Sequence, residues 1–253
     1  MNDNINRSTE NIIPFTIGRM NPPTTGHMQL IRDMMNYSLL NNLTNINLIL
    51  SGTIDNKKNP ISCKEKRNML LFFLLKHQKE LLKIEQPLNT QKIDDLKVNI
   101  ICMDDIMNPS YGTHPVMKSI NYLLHENYGY PRNNLKMVLF VGQDRENDFE
   151  WLKETLFKRN PSIVLEMEAK ERPDGAISAT FVRQLALDGN YDEFKKQMIE
   201  IGLTNEEYIT KLYKEIIDKM TYKPRNKKSR TMKGGRRRRK NSRKKNNSKR
   251  KRT

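Results

Sequence analysis

The chain has 253 residues and a mass of 29.9 kDa, room for one sizeable α/β domain and an extension. No run of about 18 apolar residues occurs, which argues against a membrane-spanning helix, and the polar stretch Met1 to Asn11 lacks the apolar core of a signal peptide. The net charge of +17 is an average over two unlike parts: 18 of the 46 Lys and Arg lie between Tyr222 and Thr253 without one acidic residue, leaving 28 against all 29 acids in residues 1–221, a net of −1.

Residues 1–11 are expected to be a flexible N-terminus, followed by a domain over 12–221 and a basic tail over 222–253. Ile12 to Ile17 reads as a buried strand with Pro14 near its start. A loop and a helix from Gly26 to Leu40 follow, with Met28, Leu30, Ile31, Met34, Met35 and Leu39 as its apolar positions. Ile46 to Leu50 predicts a second strand, Lys64 to Leu82 a buried helix and Val98 to Met103 a third strand. A helix is expected over His114 to Asn127, capped by Thr113. Leu135 to Val141 predicts the fourth strand, Asp148 to Lys158 a helix and Ile163 to Met167 the fifth strand. Helices then run from Ser178 to Met220, broken near Gly189 and Gly202. Strands alternating with helices at this spacing predict a Rossmann-like, doubly wound parallel sheet of about five strands with a helical C-terminal end. Ligands of such sheets bind beyond the carboxyl ends of the strands, where the segments described next all fall.

The first is Gly18-Arg19-Met20-Asn21-Pro22-Pro23-Thr24-Thr25-Gly26-His27, between the first strand and first helix. A helix N-terminus offers unpaired N–H groups and a partial positive charge to phosphate. Gly26 permits close backbone approach, and Thr24 and His27 add a hydroxyl and a ring N–H. The bland alternative is a Pro-rich turn in which His27 only caps the helix. The second segment, Ile177-Ser178-Ala179-Thr180-Phe181-Val182-Arg183, sets two hydroxyls and a guanidinium on the first turns of another helix. Alone it reads as an N-cap with an exposed arginine; beside the first it reads as a second phosphate grip.

Ser51 to Pro60 after strand two holds Lys57 and Lys58, either able to reach a leaving phosphate group, with Lys66 and Arg67 on the next helix. Gly142-Gln143-Asp144-Arg145 closes strand four, and Trp151 nearby either stacks on a base or packs in its helix beside Phe149, Leu152 and Leu156. Asp104 and Asp105 lack a third ligand, and His77, His114 and His125 lack metal-ligand spacing, so no metal site is assigned. Cys63 and Cys102 suggest neither a disulfide framework nor a Cys-ligated metal, and a reducing compartment fits them.

The two phosphate-holding segments resemble the T/HxGH and ISxTxxR signatures of the nucleotidylyltransferases of the cytidylyltransferase-like superfamily, over roughly Ile12 to Gly202. The Gly18-Arg19-x-x-Pro22-Pro23 wording is most similar to nicotinamide-nucleotide adenylyltransferases and to related viral or phage proteins. The resemblance implies transfer of NMP from an NTP to a phosphorylated small molecule with release of pyrophosphate. On it, His27 stabilises the transition state, with Thr24 at the first motif position and Lys58 on the leaving group. Gly18, Arg19, Gly26, Ser178, Thr180 and Arg183 bind the nucleotide, and Gly142, Asp144, Arg145 and Trp151 lie toward the acceptor. Mg²⁺ is expected to accompany the NTP without an assigned protein ligand. ATP with nicotinamide mononucleotide is the first expectation, and CTP with a sugar- or polyol-phosphate the second. A third is a catalytically inactive Rossmann-like module that binds nucleic acid through its tail.

The tail has clustered Lys and Arg and no aromatic after Tyr222, so it can neutralise phosphates without stacking on bases. It is expected to be disordered in isolation, with nucleic acid or an import receptor as its partner. A cytoplasmic or nuclear location is expected, or a virion if the protein is viral; the oligomeric state stays open.

Overall fold

A computed structural model describes residues 11–81, 95–126 and 135–222. The expectations of a flexible N-terminus, but for Asn11, and of a disordered basic tail, but for Tyr222, lie outside these residues. Five strands, β1 (Asn11–Gly18), β2 (Asn45–Leu50), β3 (Lys97–Cys102), β4 (Leu135–Gly142) and β5 (Ile163–Lys170), form one parallel sheet in the order β3-β2-β1-β4-β5. Seven helices accompany it among the described residues: α1 (Thr25–Leu40), α2 (Cys63–Leu81), α3 (Pro115–Glu126), α4 (Glu150–Arg159), α5 (Ala179–Leu187), α6 (Tyr191–Glu200) and α7 (Glu206–Thr221).

The strand alternation assigns side chains to two cores. Ile46, Leu48 and Leu50 of β2 and Val138 and Phe140 of β4 pack on the face covered by α1, α2 and α5 to α7. Ile13 and Phe15 of β1 and Met137, Leu139 and Val141 of β4 pack on the other face, with Met117, Ile120 and Leu123 of α3 and Leu152 and Leu156 of α4. Both faces of the sheet are therefore covered, as a doubly wound Rossmann-like fold requires. The order of the strands reverses between β1 and β4, so the crevice of this fold opens at their carboxyl ends.

Pro14 sits in the central strand at a place where its missing N–H costs little. Its carbonyl faces β2 and accepts from the Asn47 side-chain amide (3.1 Å), one residue before the β1–β2 ladder starts at Phe15. Asparagines also close helix ends: Asn190 caps α6 and Asn205 caps α7, accepting from the N–H of Glu193 and Tyr208. Gly189 (φ 77°) and Gly202 (φ 99°) take the left-handed conformation at the two predicted helix breaks.

Four expectations are corrected. Asn11 already belongs to β1, because it pairs in register with Leu135. Thr113 is not the cap of α3: the helix opens at Pro115, and the His114 carbonyl accepts the first bond, from the N–H of Lys118 (2.8 Å). β5 runs three residues past its apolar run, because Glu168, Ala169 and Lys170 still pair with Phe140, Val141 and Gly142. Finally, Cys63 and Cys102 are joined in a disulfide, with Cα atoms 6.0 Å apart. Cys102 ends β3 and Cys63 opens α2, a proximity created by the sheet that spacing along the chain does not encode.

Candidate active site

Thr24 and His27 form one unit at the start of α1. Thr24 is buried, in extended conformation, and is the N-cap; His27 is at the third helical position. The His27 ring takes the place of the usual Glu or Gln of a capping box: its Nδ1 accepts from the Thr24 backbone N–H at 3.2 Å and lies 2.8 Å from the Thr24 hydroxyl. With Nδ1 accepting, the neutral ring carries its proton on Nε2. Burial, and then the Arg172 guanidinium, push the His27 pKa down to about 4, against a smaller opposing pull from Asp144. At neutral pH the ring is therefore an uncharged Nε2–H donor. Gly26 in the same turn faces Ala176, and a Cβ there would stand 3.8 Å from the Ala176 methyl, in ordinary contact.

The second segment touches the first. Ser178 caps α5 by accepting from the Phe181 N–H at 3.1 Å, which leaves its own O–H available as a donor. Arg183, one turn on, is buried rather than exposed. Its fork donates to the backbone carbonyl of Asn21 and, at 3.1 Å, to the Thr180 hydroxyl, so α5 is tied to the loop after β1. Burial and the neighbouring Arg19 hold its pKa below the ordinary value, with Asp55 opposing. Gly18 ends β1, and Arg19 beyond it is exposed beside Arg183.

Two residues that local pattern did not reveal hold this loop in place. The Asn21 side chain makes a reciprocal pair with Ile61, donating to its carbonyl at 2.8 Å and accepting from its N–H at 3.1 Å. Lys66, fully buried on α2, donates to the carbonyls of Arg19 (2.9 Å) and Ser51. Burial lowers the Lys66 pKa to about 8, against the pull of Asp104. Asp104 itself lies against Gly52, where a Cβ would come within 1.9 Å of its carboxyl carbon, and Asp105 turns away to Arg67 (2.8 Å).

The loop after β2 is organised by Asp55. The backbone N–H groups of Lys58, Lys57 and Asn59 all donate to its carboxylate, as does the Asn59 side chain. These bonds, that from Lys58 first, hold the Asp55 carboxyl well below the usual range. Lys57 and Lys58 are both exposed on this turn.

On the other side of the crevice, Gly142 ends β4 and Asp144 is the second residue of a 3₁₀ turn over Gln143–Phe149. A Cβ on Gly142 would meet the Asp144 carboxylate at 2.8 Å, so that carboxylate rests on the bare strand end. Asp144 pairs with Arg172, at 2.8 Å, from the loop after β5. Both charges act on His27, which brings the Asp144 element and the Thr24–His27 turn to the same place. Arg145 and Trp151 do not join them. Arg145 pairs with Asp148, and Trp151 donates to the Asp148 carbonyl (2.9 Å) and packs edge-on against His114. Trp151 is 39% exposed, so it is not the core residue of its helix that its apolar neighbours suggested. Among the described residues no group of three His, Cys, Asp or Glu is placed to hold a metal ion, and no helix is long and apolar enough to cross a membrane.

No protein-family model matches the chain, and neither does any curated protein. Among solved structures, it is similar to a bifunctional NMN adenylyltransferase/ADP ribose pyrophosphatase from Francisella tularensis, complexed with AMP and a manganese ion. The two share 17% identity with a TM-score of 0.41, over 82% of this chain and 52% of the other, so this chain spans about half the length of that protein. A likeness at that level leaves function to be argued from the residues themselves.

Proposed function

We propose that the protein is a nucleotidylyltransferase. A phosphate oxygen of the acceptor attacks the α-phosphorus of an NTP in line; the new P–O bond forms as the α–β bridging bond breaks, and pyrophosphate leaves with the electron pair. The observation that carries this reading is that a neutral histidine at the N-terminus of α1 and a buried arginine fork from α5, 156 positions later in sequence, meet on one loop at the β1/β4 crevice.

Such a transfer needs alignment and charge stabilisation more than covalent chemistry. His27 donates from Nε2 to a non-bridging α-phosphate oxygen as charge shifts there, and the N-terminus of α1 adds its backbone dipole. Thr24 fixes the ring. Arg183, Arg19, Ser178 and Thr180 hold the β- and γ-phosphates, and Lys58 reaches the departing pyrophosphate from its exposed turn. The Gly142–Asp144 strand end is the acceptor side, with Arg145 and Trp151 further along the same segment.

Mg²⁺ fits as a companion of the NTP rather than of a protein cage. The carboxylates at this edge are already engaged, Asp144 by Arg172 and Asp55 by backbone N–H groups, and Mg²⁺ is commonly held by substrate phosphates and water with one or two carboxylates. When bound, it would neutralise charge on the phosphates. Adenylyl transfer from ATP to nicotinamide mononucleotide is the first substrate pair, on the resemblance of the Gly18-Arg19-x-x-Pro22-Pro23 loop. The test is a pyrophosphate-release screen of ATP and CTP against phosphorylated acceptors, nicotinamide mononucleotide and glycerol 3-phosphate among them. No release with any pair by the folded, full-length protein would refute the reading.

A further inference from the structure

Transfer between two phosphates brings two anions together, and each needs its own cation. Resting on the nucleotidylyl-transfer reading, Arg19 and Arg183 serve the triphosphate on the β1/α5 side of the crevice. On the acceptor side the sequence motifs name one cation, Arg145, and it pairs with Asp148 in its own turn rather than joining the Asp144 and His27 elements. Arg172 stands on that same side, two residues past the end of β5. Three observations single it out.

First, its guanidinium is 2.8 Å from the Asp144 carboxylate, and the two side chains are 52% and 50% exposed. An ion pair so open to water contributes little to stability, so exchanging its partner costs little. Second, the carboxylate lies against Gly142, where a Cβ would stand 2.8 Å from its oxygen, so the bare strand end leaves it room. A carboxylate paired with a half-exposed arginine is the arrangement of a stand-in anion, since a carboxylate presents the same pair of oxygens to the fork that a phosphate does. Third, Arg172 and Asp144 are the two charges that act on the His27 ring, so the pair stands beside the group proposed to face the reacting phosphorus.

We propose that Arg172 grips the acceptor: its guanidinium leaves Asp144 for the phosphate oxygens of a phosphomonoester and holds them for attack beside His27. The grip reads the phosphate and not the rest of the molecule, so it applies to a nucleotide and a polyol-phosphate acceptor alike. Asp144 keeps Arg172 neutralised and aimed until the acceptor arrives.

Calorimetric titrations of the full-length protein with ATP, nicotinamide mononucleotide and glycerol 3-phosphate test this, alongside steady-state pyrophosphate release. Arg172→Ala is expected to weaken phosphomonoester binding and raise the acceptor KM at least tenfold, with ATP affinity within twofold of wild type. Arg172→Lys should recover part of the loss, because it restores charge without the planar fork. Arg183→Ala should do the reverse, weakening ATP and sparing the acceptor. The Arg172 side chain is half exposed, so its two variants are expected to fold. The histidine ring signals give an independent reading: loss of the nearby guanidinium should raise the His27 pKa without any ligand. Equal losses for ATP and acceptor, an unchanged acceptor KM, or an unmoved His27 titration would overturn the assignment of Arg172 alone. A wild-type protein that neither binds ATP nor releases pyrophosphate would remove the underlying reading together with it.

Discussion

His27 does two things that one substitution confuses. It closes the capping box of α1, and it is proposed to donate to the α-phosphate. His27→Ala removes both, while His27→Glu keeps the cap, because Glu at this position also accepts from the N-cap N–H, but cannot donate and repels phosphate. Losing a cap costs about 1 kcal/mol, which for a domain of this size lowers the melting temperature by about 2–4 °C. Losing one donor to a transition-state oxyanion costs roughly 2.7–4 kcal/mol, about a 100- to 1000-fold fall in turnover. The expected pattern is thus a slightly destabilised His27→Ala and a His27→Glu that keeps the cap but sets a carboxylate where burial disfavours charge, both at least 100-fold slower. Thermal melts monitored by circular dichroism and pyrophosphate release at saturating substrates supply the two numbers. A His27→Glu protein with wild-type turnover would show that the imidazole is a cap and nothing more.

The His27 ring should stay neutral far below the ordinary histidine range, with the folded protein titrating near pH 4 and Nε2 protonated, as read from ring nitrogen shifts by NMR. Because the unfolded ring takes up its proton near pH 6.5 and the folded ring only near pH 4, acid favours unfolding between these values. Stability is full above pH 6.5 and falls toward pH 4 by at most about 3 kcal/mol from this group; a midpoint near 6.5 in the folded state would contradict its burial. Arg183→Ala should cost both stability and ATP affinity, since it leaves the buried Asn21 carbonyl short of a donor, about 1–3 kcal/mol, whereas Arg183→Lys should restore only part of the affinity. Gly26→Ala has room beside Ala176 and should melt like wild type, yet lose turnover if phosphate approaches that backbone; full activity would place the phosphate elsewhere. Truncation after Tyr222 removes 18 basic residues. Pyrophosphate release should survive it, while salt-sensitive binding to DNA or RNA is lost in filter-binding assays; retained affinity would locate a basic face on the body.

The strands were legible because each is a short apolar run between polar loops, and their order along the chain with intervening helices implied a parallel sheet. The helix breaks at Gly189 and Gly202 were legible because only glycine adopts that backbone cheaply. Less visible were features made by the fold rather than by neighbours in sequence. Lys66 was visible only as a basic residue at the start of a helix read as buried, and only the sheet sets it under two strand-end carbonyls. The disulfide is of the same kind, joining the end of one strand to the start of a helix 39 residues away. Trp151 failed for the opposite reason: its buried neighbours Leu152 and Leu156 share a helix with it but not a face.

Asn21 explains why two motifs so far apart can act as one site. Its side chain fastens the loop after β1 to Ile61 in the loop before α2, and its carbonyl receives the guanidinium that α5 brings. Lys66 fastens the same loop from beneath by holding the Arg19 carbonyl. Every one of these bonds is made by a buried polar group, and such groups are costly to leave unpaired, so the loop has few alternative positions. If the loop binds phosphate as proposed, it has its donors aligned before substrate arrives, and alignment is what the proposed transfer demands of a protein. The exposed pair of Arg172 and Asp144 at the ends of β5 and β4, by contrast, is open to water, so exchange of its partner for a ligand costs little. Rigidity thus lies under the proposed α-phosphate and adaptability on the acceptor side, where substrates of the proposed class differ from one another.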